Sequence, residues 1–143
     1  DKVSEESENY IEEVVNDIRE IINVLSRGEQ KNLEKIEVFT AESWKWDLIE
    51  VIKSEDNMGE AIKSAMSNEN FRKNGKDVNL IIQRCFKNRY FPERFDEKEV
   101  LNEAKTFLEE EFKAEIRIDP QEDPGNDRKK SLPRKPGIHI YFK

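Results

Sequence analysis

The stretch Gly137-Ile138-His139-Ile140-Tyr141-Phe142 decides the fold class. Ile138, Ile140 and Phe142 fall on one side and His139 and Tyr141 on the other, the two-residue period of a strand with one buried face. Residues Ala114 to Asp119 repeat the pattern, with Ile116 and Ile118 set against Glu115, Arg117 and Asp119. Lys35 to Thr40 do so again, with Ile36 and Val38 against Glu37 and Phe39. Strands this short must bury their apolar side against something else, and the remaining sequence offers helices. The expected architecture is therefore α+β: a small three-stranded sheet with helices packed on one face, preceded by one long helix.

That long helix runs from Ser4 to Ser26. Ile11, Val14, Val15, Ile18, Ile21, Ile22 and Leu25 recur at helical spacing, while Glu5, Glu6, Glu12, Glu13, Asp17 and Glu20 fill the opposite face. Gly28 stands where a left-handed cap needs it. A second helix is expected over 42–53, with Trp44 in the core and Trp46 either on the rim or packed against a partner. Asn57 with Glu60 reads as a capping box opening a third helix through Met66. A fourth covers Asn70 to Lys87, with a possible break at Gly75, since glycine costs about 1 kcal/mol in a helix interior. The aromatic segment from Asn88 to Phe95 reads as a loop. Asp96 with Glu99 is a further capping box, opening a fifth helix that ends near Phe112. Residues 120–136, rich in Pro, Gly, Asp and Lys, read as a long loop, a kind of segment that is often functional.

With 143 residues, the chain is long enough for one domain plus a helix from a neighbour. The first residue is Asp1, and the sequence reads as a piece of a longer protein. One Cys excludes an internal disulfide framework, and Cys85 reads as a buried thiol in a reducing compartment. Neither a membrane-spanning apolar run nor a secretory leader is visible, so a cytoplasmic location is expected. The residues for chemistry are missing: one His, one Cys, five scattered Gly and no phosphate-binding glycine loop. Accordingly, no catalytic residue, metal ligand or cofactor-binding residue is assigned.

The net charge of −7 hides an uneven distribution. Asp1 to Gln30 carry nine acidic and three basic residues; Phe71 to Arg94 carry two acidic and seven basic; Arg128 to Lys135 carry five basic and none acidic. Because screening limits each charge to about 10 Å of reach, an acidic domain can still present a basic surface. Two features could serve RNA. The basic loop 128–135 suits a backbone whose phosphates dominate affinity. The reverse face of the sheet, with Phe39, His139 and Tyr141, could stack unpaired bases. A different class of function, a protein-interaction module docking through the acidic first helix, is also compatible with these residues.

Several segments resemble one family. Thr40-Ala41-Glu42-Ser43-Trp44-Lys45-Trp46 is similar to a segment near the end of the archaeal and eukaryotic-cytosolic type of leucyl-tRNA synthetase. So are Phe71-Arg72-Lys73-Asn74-Gly75-Lys76-Asp77-Val78 followed by Gln83, Glu103 to Leu108, Asp119-Pro120-Gln121-Glu122-Asp123, and Leu132-Pro133-Arg134-Lys135-Pro136-Gly137-Ile138. They occur in the family's order, and the archaeal version is the nearer one. The resemblance implies a C-terminal tRNA-binding domain over 31–143, with residues 1–30 ending the anticodon-binding helical bundle. It implies a parent enzyme, a class I ligase that activates leucine with ATP, transfers it to tRNA and edits its products. The ATP and editing sites would lie outside this chain. The implied partners are leucine tRNA, through its long variable arm, and the rest of the synthetase, with no DNA and no membrane. The residues expected at the tRNA are Lys129, Lys130, Arg134, Lys135, Lys73, Lys76, Ile22, Glu122, Ile140 and Tyr141. Two positions depart from the family pattern: Gly137 stands where Ala is expected, and Tyr141-Phe142-Lys143 follow the last isoleucine where an acidic residue is expected.

Overall fold

The computed structural model describes residues 2–143, with side chains from residue 5 onward. Three strands, β1 (Leu33–Phe39), β2 (Glu115–Ile118) and β3 (Gly137–Phe142), form one mixed sheet in the order β2-β1-β3. β1 is central and runs parallel to β2 and antiparallel to β3. The registers Ile36↔Ile116 and Ile36↔Ile140 put the alternating isoleucines of all three strands on one face. Ile36, Val38, Ile116 and Ile140 are buried there.

The helices are α1 (Lys2–Ser26), α2 (Ser43–Ile52), α3 (Met58–Met66), α4 (Glu69–Arg72), α5 (Gly75–Asn88), α6 (Glu97–Glu103), α7 (Lys105–Phe112) and the short turn α8 (Asp127–Lys130). They fall into two compact units. Unit 1 holds residues 1–41 and 96–143, and so contains α1, the whole sheet and α6 to α8; unit 2 is residues 42–95, holding α2 to α5. The parallel crossover from β1 to β2 therefore carries unit 2 as an insertion. These divisions fall at other points than the boundary expected near residue 30.

In unit 1, α1 turns Tyr10, Val14, Val15 and Ile18 inward, and Leu101, Leu108 and Phe112 come from α6 and α7. The Tyr10 hydroxyl donates to Glu97 Oε2 at 2.8 Å, a buried pair that fixes α1 against α6. Burial first, then the Glu97 charge and this hydrogen bond, hold the Tyr10 hydroxyl far above its ordinary range, so it stays a donor. Gly28 takes a left-handed φ of +78° and donates to Asn23 O at 3.2 Å, ending α1 as expected. Both N-caps form: Glu60 N donates to Asn57 Oδ1 at 2.9 Å and Glu99 N to Asp96 Oδ1 at 3.0 Å.

Three expectations need correction. The helix expected over 70–87 is two, α4 and α5, because Asn74 leaves helical geometry and Gly75 opens the next helix. The helix expected from Asp96 to Phe112 is broken at Ala104, where ψ opens to 1°. The tryptophans exchange roles: Trp46 is buried and meets Phe95 edge-on at 5.6 Å, whereas Trp44 is half-exposed beneath Lys45. The inward stripe of α2 is 45-48-49-52, and its first place is taken by Lys45, which is buried and paired with Glu42 at 3.5 Å. Treating a lysine as outward-facing moved the stripe onto Trp44; a long aliphatic stem with one carboxylate partner makes its burial tolerable.

Unit 2 buries Cys85 with Val78, Ile81, Ile82 and Phe86 along α5. Burial pushes the Cys85 thiol up to about 11 from 9.0. At pH 8 the thiol should react with a disulfide reagent roughly tenfold or more slowly than in the denatured chain. The stabilisation it contributes is complete below pH 9.0 and is lost as pH rises through about 11, which alkaline denaturation curves of the chain and of Cys85→Ala should show as a difference confined to that window.

Candidate functional site

The segment from Asp119 to Pro136, expected as a loop, is a built structure. Asp119 adopts a left-handed φ of +50°, as Asp tolerates better than most residues, and turns the chain at the end of β2. Its carboxylate reaches across to the end of β1, accepting from Thr40 N at 2.8 Å and Thr40 Oγ1 at 2.6 Å. Arg128 Nη2 lies 3.5 Å from the same carboxylate. Asp123 caps α8 by accepting from Asp127 N at 2.7 Å and Arg128 N at 2.9 Å. Ser131, itself buried, donates to Arg128 O at 2.6 Å. A bridge between Leu132 and Lys135 closes the segment into a second tight turn.

The basic residues of this segment divide into two sets. Arg134 is 8% exposed and held by Glu6 and Glu13 of α1, and Lys135 reaches Asp17 at 3.4 Å. These two tie the segment to the acidic face of α1. Lys129 and Lys130 on α8 are exposed, as is Glu122. α8 packs on β3, and Asp127 Oδ2 lies 3.2 Å from His139 Nδ1. His139 in turn stacks on Tyr141, with ring centroids 4.6 Å apart, and Lys35 Nζ sits 4.4 Å from the Tyr141 centroid. A hydrogen bond to Glu37, then partial desolvation, raise the Tyr141 hydroxyl above its usual range and keep it neutral.

The reverse sheet face is thus narrower than expected. Phe39 does not contribute to an open stacking platform: it is fully buried, with the Arg128 guanidinium 5.7 Å from its ring. The α8 turn, which an apolar-pattern reading cannot see, covers that end of the sheet. What remains accessible is the half-buried His139–Tyr141 pair, flanked by Lys35 and by Arg117, whose partner is Glu115. Ile140 is 8% exposed and faces the core, so its side chain packs under the sheet. Ile22 lines a shallow hollow of about 310 Å³ beside the end of α1, with Arg19, Asn23, Ser26, Glu111 and Phe112. Lys73 and Lys76 are exposed in unit 2. Asp119, Asp123 and Thr40 organise the site, and the sequence marks them weakly. Their one signal is an Asp at the end of an alternating strand, directly before a Pro.

The arrangement can hold an extended polyanion against two lysines and an aromatic pair. Among the described residues no group of three or more His, Cys, Asp or Glu could hold a metal ion. No described helix is long and apolar enough to cross a membrane.

Gly137 has a steric role here. A Cβ on it would stand 2.3 Å from Asp127 O and 2.9 Å from Asp127 C, both backbone atoms of α8. The glycine lets α8 seat on β3, which accounts physically for its place where Ala was expected. Gly137→Ala should therefore destabilise the chain by about 1–3 kcal/mol, read from urea denaturation, where a neutral strand substitution would cost nothing measurable.

No protein-family model matches the chain. Curated relatives do. The chain is 39% identical over 137 residues to a leucine–tRNA ligase of Pyrococcus furiosus and 38% identical over 137 residues to that of Pyrococcus horikoshii. It is 35% identical over 140 residues to that of Methanocaldococcus jannaschii. Each match covers 95% of this chain and 14% of the relative, so the chain spans a small part of the relatives' length. With near-complete coverage by several archaeal sequences of one name, the chain belongs to the archaeal leucine–tRNA ligase family, as a segment of it.

Proposed function

We propose that this segment is a C-terminal tRNA-binding domain that recognises the long variable arm of leucine tRNA and supports leucylation without performing it. The observation that carries the reading is that the turn bearing exposed Lys129 and Lys130 packs, through Asp127 and His139, on the strand that carries the His139–Tyr141 stack. Lysines supply sequence-independent affinity for phosphates, and aromatic rings offer stacking to unpaired bases such as those at the tip of an RNA arm. The printed name of the relatives, leucine–tRNA ligase, supports leucine tRNA as the RNA in this reading.

Within this reading, Glu122 lies on the rim of the same surface, Ile22 offers an apolar contact at the end of α1, and Ile140 acts through the position of its strand. Arg134 and Lys135 support the surface from below and set its angle to α1. Leucine activation with ATP and editing belong to the remainder of the ligase, which works in the cytoplasm. Docking of a protein partner on the acidic face of α1 is disfavoured, because Glu6, Glu13 and Asp17 already receive Arg134 and Lys135. A modest footprint suffices in a long chain that grips the tRNA elsewhere, since tethering raises the local concentration.

A titration of the chain with leucine tRNA and with a tRNA bearing a short variable arm tests this. Binding to leucine tRNA should be micromolar or weaker, preferred over the short-armed tRNA, and weakened by salt on the scale of about one log unit per phosphate contact. Lys129→Glu with Lys130→Glu should remove most of the preference. Equal affinity of the unaltered chain for both tRNAs would overturn the reading.

A further inference from the structure

The exposed cations of α5 differ from the paired cations of both units, which in unit 2 include Lys45 with Glu42 and Arg94 with Asp47. In unit 1, Arg19, Arg117, Arg128, Arg134 and Lys135 each meet a carboxylate. In unit 2, Lys76, Arg84 and Lys87 are exposed and, among the described residues, none has a carboxylate within ion-pair distance. Unit 1 carries 15 basic and 23 acidic residues, net −8; unit 2 carries ten and nine, net +1, with its positive charge gathered at its C-terminal end.

Helical geometry puts these three cations on one side of α5, within about 80° of arc, with Asp77 at the edge of that arc on the Arg84 side. α5 buries Val78, Ile81, Ile82, Cys85 and Phe86. At about 100° per residue, positions 76, 80, 83, 84 and 87 lie opposite that face. The stripe therefore reads Lys76, Leu80, Gln83, Arg84, Lys87, with three cations and no carboxylate inside the arc. Its length from Lys76 to Lys87 is about 16 Å at the helical rise per residue. Leu80, 54% exposed, sits between the charges. A solvated face normally interleaves both signs through i,i+4 pairs, and this one does not.

We propose that this face of α5 is a second RNA contact, separate from the α8–β3 surface, that grips the sugar–phosphate backbone without reading sequence or arm length. Lys76, Arg84 and Lys87 each meet a phosphate oxygen, Gln83 adds a hydrogen bond, and Leu80 lies against ribose carbon. An acidic protein is the weaker fit: a row of single charges with one small apolar residue between them offers no pocket for an anchoring side chain, whereas a regular polyanion matches it. The inference rests on RNA being the partner, but it does not need the variable-arm reading to hold.

The test is the salt dependence of binding by the 143-residue chain and by Lys76→Gln/Arg84→Gln/Lys87→Gln, measured on leucine tRNA and on a short-armed tRNA. Glutamine keeps helix propensity, and the positions are exposed, so circular dichroism and the melting curve should be unchanged. The expected result is a slope of log affinity against log salt reduced by about 3, one per lost phosphate contact, with both tRNAs weakened by the same factor. An unchanged slope would overturn the proposal. Loss confined to leucine tRNA would overturn it too, since α5 would then belong to the arm-reading surface. If the unaltered chain does not prefer leucine tRNA, the variable-arm reading fails while the slope change still decides this one.

Discussion

The carboxylate of Asp119 is the constraint on which the candidate site depends. It joins three things that are distant in sequence: the end of β2, the end of β1 through both donors of Thr40, and Arg128 at the start of the basic turn. Hydrogen bonds to a charged acceptor are worth on the order of 1.5–3 kcal/mol each, more than a neutral pair. They hold a backbone that would not persist alone. Asp119, Asn126 and Arg134 all have left-handed φ, between 50° and 70°, in a segment of fewer than twenty residues. Residues held in sparsely populated regions persist when the surroundings over-determine them, and they gather where function needs a fixed shape. Asp123 and Ser131 complete the frame from within, and Arg134 with Glu6 and Glu13 fastens it to α1.

This frame explains how a chain of net charge −7 can still present exposed cations beside an aromatic pair's strand, as the proposed function requires. Three of its acidic residues, Glu6, Glu13 and Asp17 of α1, are neutralised by the basic segment they anchor. The cations left exposed on α8 belong to a turn that packs on β3, the strand of the accessible His139–Tyr141 pair. Specificity and affinity are then separable. In the proposed reading, a rigid, partly aromatic surface would discriminate by shape, and scattered lysines and arginines would add binding that salt removes. The division into two compact units gives the same separation a structural form, with the sheet-bearing unit and the helical insertion carrying different distributions of charge.

The sheet was legible because its isoleucines alternate without exception: Ile36, Ile116, Ile118, Ile138 and Ile140 announce both strand and face. The helix starts at Asn57 and Asp96 and the stop at Gly28 were legible because capping chemistry is local. What was hidden depends on tertiary partners. Lys45 looks solvent-facing until Glu42 and Trp44 receive it. The break at Ala104 has no helix-breaking residue to mark it. Phe39 looks like a stacking residue until Arg128, 89 positions later, closes over it. The candidate site was half legible: charge and aromatics pointed to segments that the structure packs together, but composition could not separate Arg134 and Lys135, which brace the fold, from Lys129 and Lys130, which are exposed. Only the position of α1 makes that distinction. The family resemblance named the segments in advance, and the relatives' identity over 95% of the chain agrees with it.

Hydrogen exchange of the free chain and of the chain with leucine tRNA tests the central claim, that a pre-built segment 119–136 carries recognition. The account predicts that the amides of Asp119, Asp127, Arg128, Ser131, Leu132 and Lys135, all hydrogen-bonded here, are already protected without RNA. It predicts further slowing on α8 and β3 when leucine tRNA is added. Exchange of those amides at the rate of an unstructured peptide in the free chain would contradict it.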